Sequence, residues 1–134
     1  MVDLEEAARM MSALPDVGVG SSYGNRTWTV GGKGFAWVRP FRKVDLRRFG
    51  DAPVPGGPIL AVRVADLRAK AALLARGPAG VFTIPHFDGH PAVLVQLDAV
   101  GKRVLERLLV DAWLACVPPS SIACRRTRVR KPRV

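Results

Sequence analysis

Apolar residues recur at Leu4, Ala7, Ala8, Met11 and Leu14, the spacing of one stripe along a helix. Asp3, Glu5 and Glu6 lie in its first turn, where negative charge complements the helix dipole, and Pro15 stops it. Beyond a Gly/Ser-rich stretch from Gly18 to Gly24 the period becomes two. Arg26 to Val30 and Lys33 to Arg39 predict strands joined by Gly31-Gly32, a pair that admits the positive φ of a two-residue hairpin. On the second strand, alternation puts Phe35 and Trp37 on one face and Ala36 and Val38 on the other.

Residues 40–58 (PFRKVDLRRFGDAPVPGGP) hold four prolines and three glycines, which predicts a long loop. Ile59 to Val64 is a strand in which Leu60, Val62 and Val64 alternate with Arg63. Asp66 is placed to N-cap a helix through Arg76 with Leu67, Ala71 and Leu74 toward the core, ended by Gly77-Pro78. Val81 to Ile84 and Ala92 to Leu97 are short strands separated by PHFDGHP. A last helix runs from about Lys102 to Cys116 with Val104, Leu105, Leu108, Leu109, Ala112 and Trp113 on its apolar side, and Pro118-Pro119 close it. The order α-β-β-β-α-β-β-α predicts an α+β domain over residues 1–117. Its mainly antiparallel five-stranded sheet carries packed helices, and a basic tail over 118–134 is expected to be disordered.

The length of 134 residues suits one domain, and 49% apolar residues suffice for a core. No apolar run reaches the ~18 residues of a membrane span. The acidic start MVDLEEAARMM is unlike a secretion signal, so a cytoplasmic location is expected. In that reducing compartment Cys116 and Cys124 are expected as free thiols, and neither has the CxxC spacing of a metal or redox site.

A net charge of +10 is unevenly spread. Arg125, Arg126, Arg128, Arg130, Lys131 and Arg133 bring +6 to the last 17 residues, leaving +4 on the body. Such a tail attracts polyanions without specificity.

The segments ALPDVGVGSSYGN (13–25), TWTVGGKGFAWVRP (27–40), ILAVRVADLRAKAALLA (59–75), VFTIPHFDGHPAVLVQLD (81–98) and DAWLACVP (111–118) resemble the MmcQ/YjbR family. The likeness covers roughly residues 3–118. It implies a small bacterial protein with a CyaY-like, double-wing-like fold and a DNA-binding role, and it transfers no catalytic residues. The proline-rich loop and the arginine-rich ending depart from the family pattern.

Arg39, Arg42, Lys43, Arg47 and Arg48 put five positive charges within ten residues, offset by Asp45. Two readings are open. The cations reach nucleic-acid phosphates, with Phe41 and Phe49 stacking on bases; or they form a solvated loop whose arginines pair locally and whose phenylalanines pack beneath it. Trp28, Lys33, Phe35 and Trp37 outline a hairpin resembling a nucleic-acid-binding wing, but large aromatics on a sheet are read as core.

His86, Asp88 and His90 alternate, yet Pro85, Gly89 and Pro91 break any regular strand and no fourth ligand stands out, so no metal or cofactor is expected. Ser21 and Ser22 show no nucleophile-elbow pattern, and no enzymatic activity is expected. Gly18, Gly20 and Gly24 lead into a strand rather than a helix N-terminus, which weakens a phosphate-loop reading. On the third helix Lys102, Arg103 and Arg107 are diluted by Glu106 and Asp111, so no base-reading helix is apparent. The residues therefore support a non-specific DNA-binding protein, contacting the backbone as a monomer without membrane association through 39–48 and 125–133. The alternative is a small protein- or metabolite-binding module in which the basicity is incidental.

Overall fold

Local rules account for most elements. Helix α1 (Leu4–Ser12) starts where the Asp3 carboxylate accepts a hydrogen bond from Glu6 N, and α3 (Leu67–Arg76) where Asp66 accepts one from Ala69 N. Each cap satisfies an amide that the first turn leaves without an intrahelical partner. Gly77 closes α3 in the left-handed conformation. A computed structural model describes residues 1–118 of the chain, so the Arg125–Arg133 cluster, Cys124 and the expected disorder of the tail lie outside the described residues.

Two elements exceed those the pattern predicts. The Gly/Ser stretch forms strand β1 (Gly18–Ser22), because Tyr23 and Gly24 both take positive φ and fold it back onto β2 (Asn25–Val30). Helix α2 (Lys43–Phe49) occupies the middle of the expected 40–58 loop, with Arg42 N donating to the Asp45 carboxylate in its first turn. Gly31-Gly32 makes the predicted hairpin to β3 (Lys33–Val38). Strands β4 (Ile59–Arg63), β5 (Val81–Phe82) and β6 (Ala92–Gln96) complete one antiparallel sheet in the order β1-β2-β3-β4-β6-β5, six strands rather than five. Between β5 and β6, Pro85–Phe87 forms a 3₁₀ turn.

A β-bulge decides what each face of the hairpin carries. Trp28 pairs with Ala36 but Thr29 with Gly34, leaving Phe35 as the extra residue. Phe35 and Ala36 consequently both join the core shared with α1 and α4, and Trp37 belongs to the other face. The strict alternation that put Phe35 beside Trp37 therefore fails at this step.

The main core packs Trp28, Val30, Leu60, Val62, Val93 and Val95 against α1 and α4 (Lys102–Cys116), where Leu105, Leu108, Leu109, Ala112 and Trp113 turn inward as predicted; Val104 is exposed. On α3 the buried residues are Lys70 and Leu73, whereas Leu67 and Ala71 face solvent. A smaller core covers part of the opposite face, where Ile84, Phe87, Phe41 and Phe49 lie over Ile59, Ala61, Leu94 and Phe82. No helix of the described residues is long and apolar enough to cross a membrane. Cys116 is a free, buried thiol whose pKa is pushed up by burial.

Among the glycines of the described residues, Gly80 makes the tightest approach to other backbone atoms. Its φ is +83°, and a Cβ there would stand 2.7 Å from Val100 N and 2.9 Å from Gln96 O. Both are backbone atoms that cannot swing aside. Gly80→Ala is expected to cost more than the ~1–2 kcal/mol of a left-handed backbone alone. Urea unfolding checks this, and an unchanged midpoint would contradict it.

Candidate functional site

One row of residues runs in register across the outer face of the sheet: Gly20, Thr27, Trp37, Ala61, Leu94 and Phe82. The row is large and apolar at the β5 end, where α2 and the 3₁₀ turn cover it. Over β1 and β2 it is small, and Gly20, Thr27, Thr29 and Gly34 line the groove there. The step between the covered and bare halves makes a groove of about 550 Å³. Trp37 stands at the step, its ring centroid 6.4 Å from that of Phe87. Ser22, Tyr23 and Asn25 form the far rim.

The covered side is the groove wall, and two buried cations hold it in place. Arg39 is 5% exposed and Asp45 1%, with Nη2 of the first 3.1 Å from Oδ2 of the second. The Arg39 guanidinium also lies 5.6 Å from the Phe87 ring centroid and donates to Pro40 O. The pair thus joins the end of β3, the start of α2 and the 3₁₀ turn. Burial works against the Asp45 carboxylate, but the Arg42 N–H and the Arg39 charge prevail and hold its pKa below the ordinary value. Lys70 reaches up from α3 and donates Nζ to Phe87 O and to His90 O at 2.9 Å, which fixes the PHFDGHP loop from below. Burial depresses its pKa, and Asp88 partly offsets this.

The sequence profile of the YjbR family matches residues 12–115. The chain belongs to the YjbR family. It is 44% identical over 121 residues to the uncharacterized protein Rv2570 of Mycobacterium tuberculosis and equally to Mb2600 of Mycobacterium bovis, a match covering 88% of this chain and 91% of each relative. Its fold is similar to that of a Pseudomonas syringae protein of known crystal structure, with a TM-score of 0.63 over 83% of this chain and 96% of that one. At 12% identity that likeness concerns the fold alone.

In this YjbR protein the expected cation cluster divides. Arg39 lines the groove but is buried against Asp45, and Arg42 lines it from an exposed position. Lys43, Arg47 and Arg48 lie exposed on α2, beyond the groove. Phe41 and Phe49 meet edge to face at 5.3 Å within the smaller core, so they pack beneath the basic segment rather than present rings to a ligand. Trp28 and Phe35 are core as read, whereas Trp37 is a groove residue.

Sequence reasoning missed Arg63, His86 and His90 as groove residues. Arg63 donates Nε to Gly34 O at 2.6 Å and lies 5.6 Å from the Trp37 ring centroid, a cation–π contact. A lone arginine in the apolar run ILAVRV was the available signal. The His86 and His90 rings stack 6.4 Å apart, and burial together with Arg39 depresses the pKa of His86, which favours the uncharged ring at neutral pH. Among the described residues no three of His, Cys, Asp or Glu gather as a metal site. The assembled groove offers cations, a half-covered indole and hydroxyls. That set suits an anion with a flat ring.

Proposed function

We propose that this is a cytoplasmic, non-enzymatic DNA-binding protein that holds the sugar-phosphate backbone along the groove and α2, with little sequence readout. The charge of the groove carries the reading. Arg39, Arg42 and Arg63 line it, Arg39 paired with the buried Asp45, and among the described residues no aspartate or glutamate lines it. Among the described residues, the Arg42 and Arg63 guanidinium groups have no carboxylate at ion-pair distance, and Lys43, Arg47 and Arg48 extend the positive surface along α2. Cations so placed neutralise phosphates and release their counterions, which gives affinity without base contacts.

A second reading is a binding module for a small anionic metabolite. The groove volume favours it, since small-ligand sites hold about 300–1,000 Å³.

Fluorescence anisotropy with random-sequence DNA separates the two. Replacing Arg42, Lys43, Arg47 and Arg48 together by alanine should weaken binding at low salt. The plot of log affinity against log salt should also flatten, by up to ~0.9 for each duplex phosphate that is no longer neutralised. All four residues are exposed, so the fold should tolerate the change. Unchanged affinity and slope would sink the reading. A chain cut after Val117 tells the body from the basic residues that follow: retained salt dependence assigns binding to the folded part.

A further inference from the structure

The groove is the wrong shape for a duplex backbone alone. Its lining includes a tryptophan, Trp37, to which paired and stacked bases have no free face to offer. Gly20, Thr27 and Gly34 keep the floor beside Trp37 low, and a Cβ at Gly20 would meet nothing within 4 Å. The space above Gly20, on the same face as the indole, is therefore open. Arg63 flanks that indole and Arg42 stands on the wall, so cations lie on two sides of the position a base would occupy. β1, which carries Gly20, is an edge strand of the sheet, and all five of its residues are exposed. At the other end Arg42 leads directly onto α2, with Lys43, Arg47 and Arg48 exposed.

From this arrangement we infer that the groove is a single-strand site, in which one unpaired base of a DNA strand stacks on Trp37 while the phosphates on either side meet Arg63 and Arg42. The inference rests on the DNA-binding reading above and narrows its ligand. A single strand has the free π-faces that an aromatic platform requires, and the stacking tolerates any base. A lone nucleotide would fill the groove but leave the cations of α2 unused, so the track of charge selects a polymer.

Fluorescence on the full chain tests it. Trp28 and Trp113 are buried, so quenching by an added ligand reports Trp37. A dT 12-mer should quench the emission and, at equal salt, bind more tightly than a 12-base-pair duplex. Trp37→Ala should weaken the single strand by about 5- to 150-fold, the worth of one stacked base. Trp37→Phe keeps a ring on the floor and should restore most of the affinity, which guards against a mere packing defect.

Equal binding of both forms, with no quench and no effect of Trp37→Ala, overturns the single-strand site but leaves the DNA-binding reading standing. Thymidine monophosphate quenching as tightly as the 12-mer overturns the polymer and makes the groove a nucleotide pocket. If no DNA of either form binds, both proposals fall together.

Discussion

Replacing Asp45 by alanine is expected to destabilise the fold by about 3–5 kcal/mol, a large part of the ~5–15 kcal/mol that holds a domain of this kind together. The cost arises in its partner. Arg39 is almost wholly buried, and without the carboxylate 3.1 Å away its charge stays in the smaller core with only carbonyl and ring contacts. Arg42 N also loses its acceptor, which loosens the first turn of α2. An apolar pair in the same space, Arg39→Met with Asp45→Leu, should cost less than Asp45→Ala, because no charge is left unmatched. Guanidinium unfolding of the two variants gives the comparison. Equal losses would show that the pair acts through packing alone.

The same carboxylate links stability to acid. Its pKa is depressed in the folded protein, so it contributes stability above its unfolded value of ~3.9 and loses it as the pH falls through the lower folded value. Stability plotted against pH should therefore fall in acid for the native chain and approach that of Asp45→Asn. Two parallel curves would rule Asp45 out as the linked group. This pair also fixes the wall of the groove, so the Asp45 variants should bind DNA less well even where they remain folded.

The parts of the molecule legible in the sequence were those set by local rules. α1, α3 and α4 follow the helical period and, at Asp3, Asp66 and Gly77, caps of standard type. β1 escaped because glycine and serine carry little strand preference of their own; pairing with β2 and the positive φ of Tyr23 supply what the residues lack. α2 escaped because seven residues set among prolines and glycines are too few for a periodic signal, and burial of Asp45 and Phe49 beneath it is a tertiary effect. On α3 Leu74 packs on the core as expected, but Leu67 and Ala71 face solvent because Lys70 and Leu73 take the inward side. The Lys70 ammonium group is matched by loop carbonyls remote in sequence. The groove was legible only in Arg39 and Arg42. It brings together the β1–β2 hairpin, the segment before α2, Arg63 and the 86–92 loop, and only the order of strands makes them neighbours.

The two tryptophans of the hairpin should behave in opposite ways, and Trp28 carries the larger effect on stability. Trp28→Ala is expected to cost about 3–5 kcal/mol, since its ring is fully buried between β2 and the helices and the space cannot close over so large a loss. Trp28→Phe should cost clearly less. It keeps a ring in the site and removes an indole N–H that has no acceptor among the described residues, so one standing penalty disappears with it. Trp37→Ala should by contrast change stability modestly, because its ring borders the groove rather than filling the main core. Thermal unfolding of the three variants tests the division directly. The bulge at Phe35 predicts the ranking: it sends Phe35 and Ala36 to the helix side with Trp28 and turns Trp37 out to the groove. A loss at Trp37 as large as that at Trp28 would mean that both rings serve the core, and the groove would then have no platform of its own.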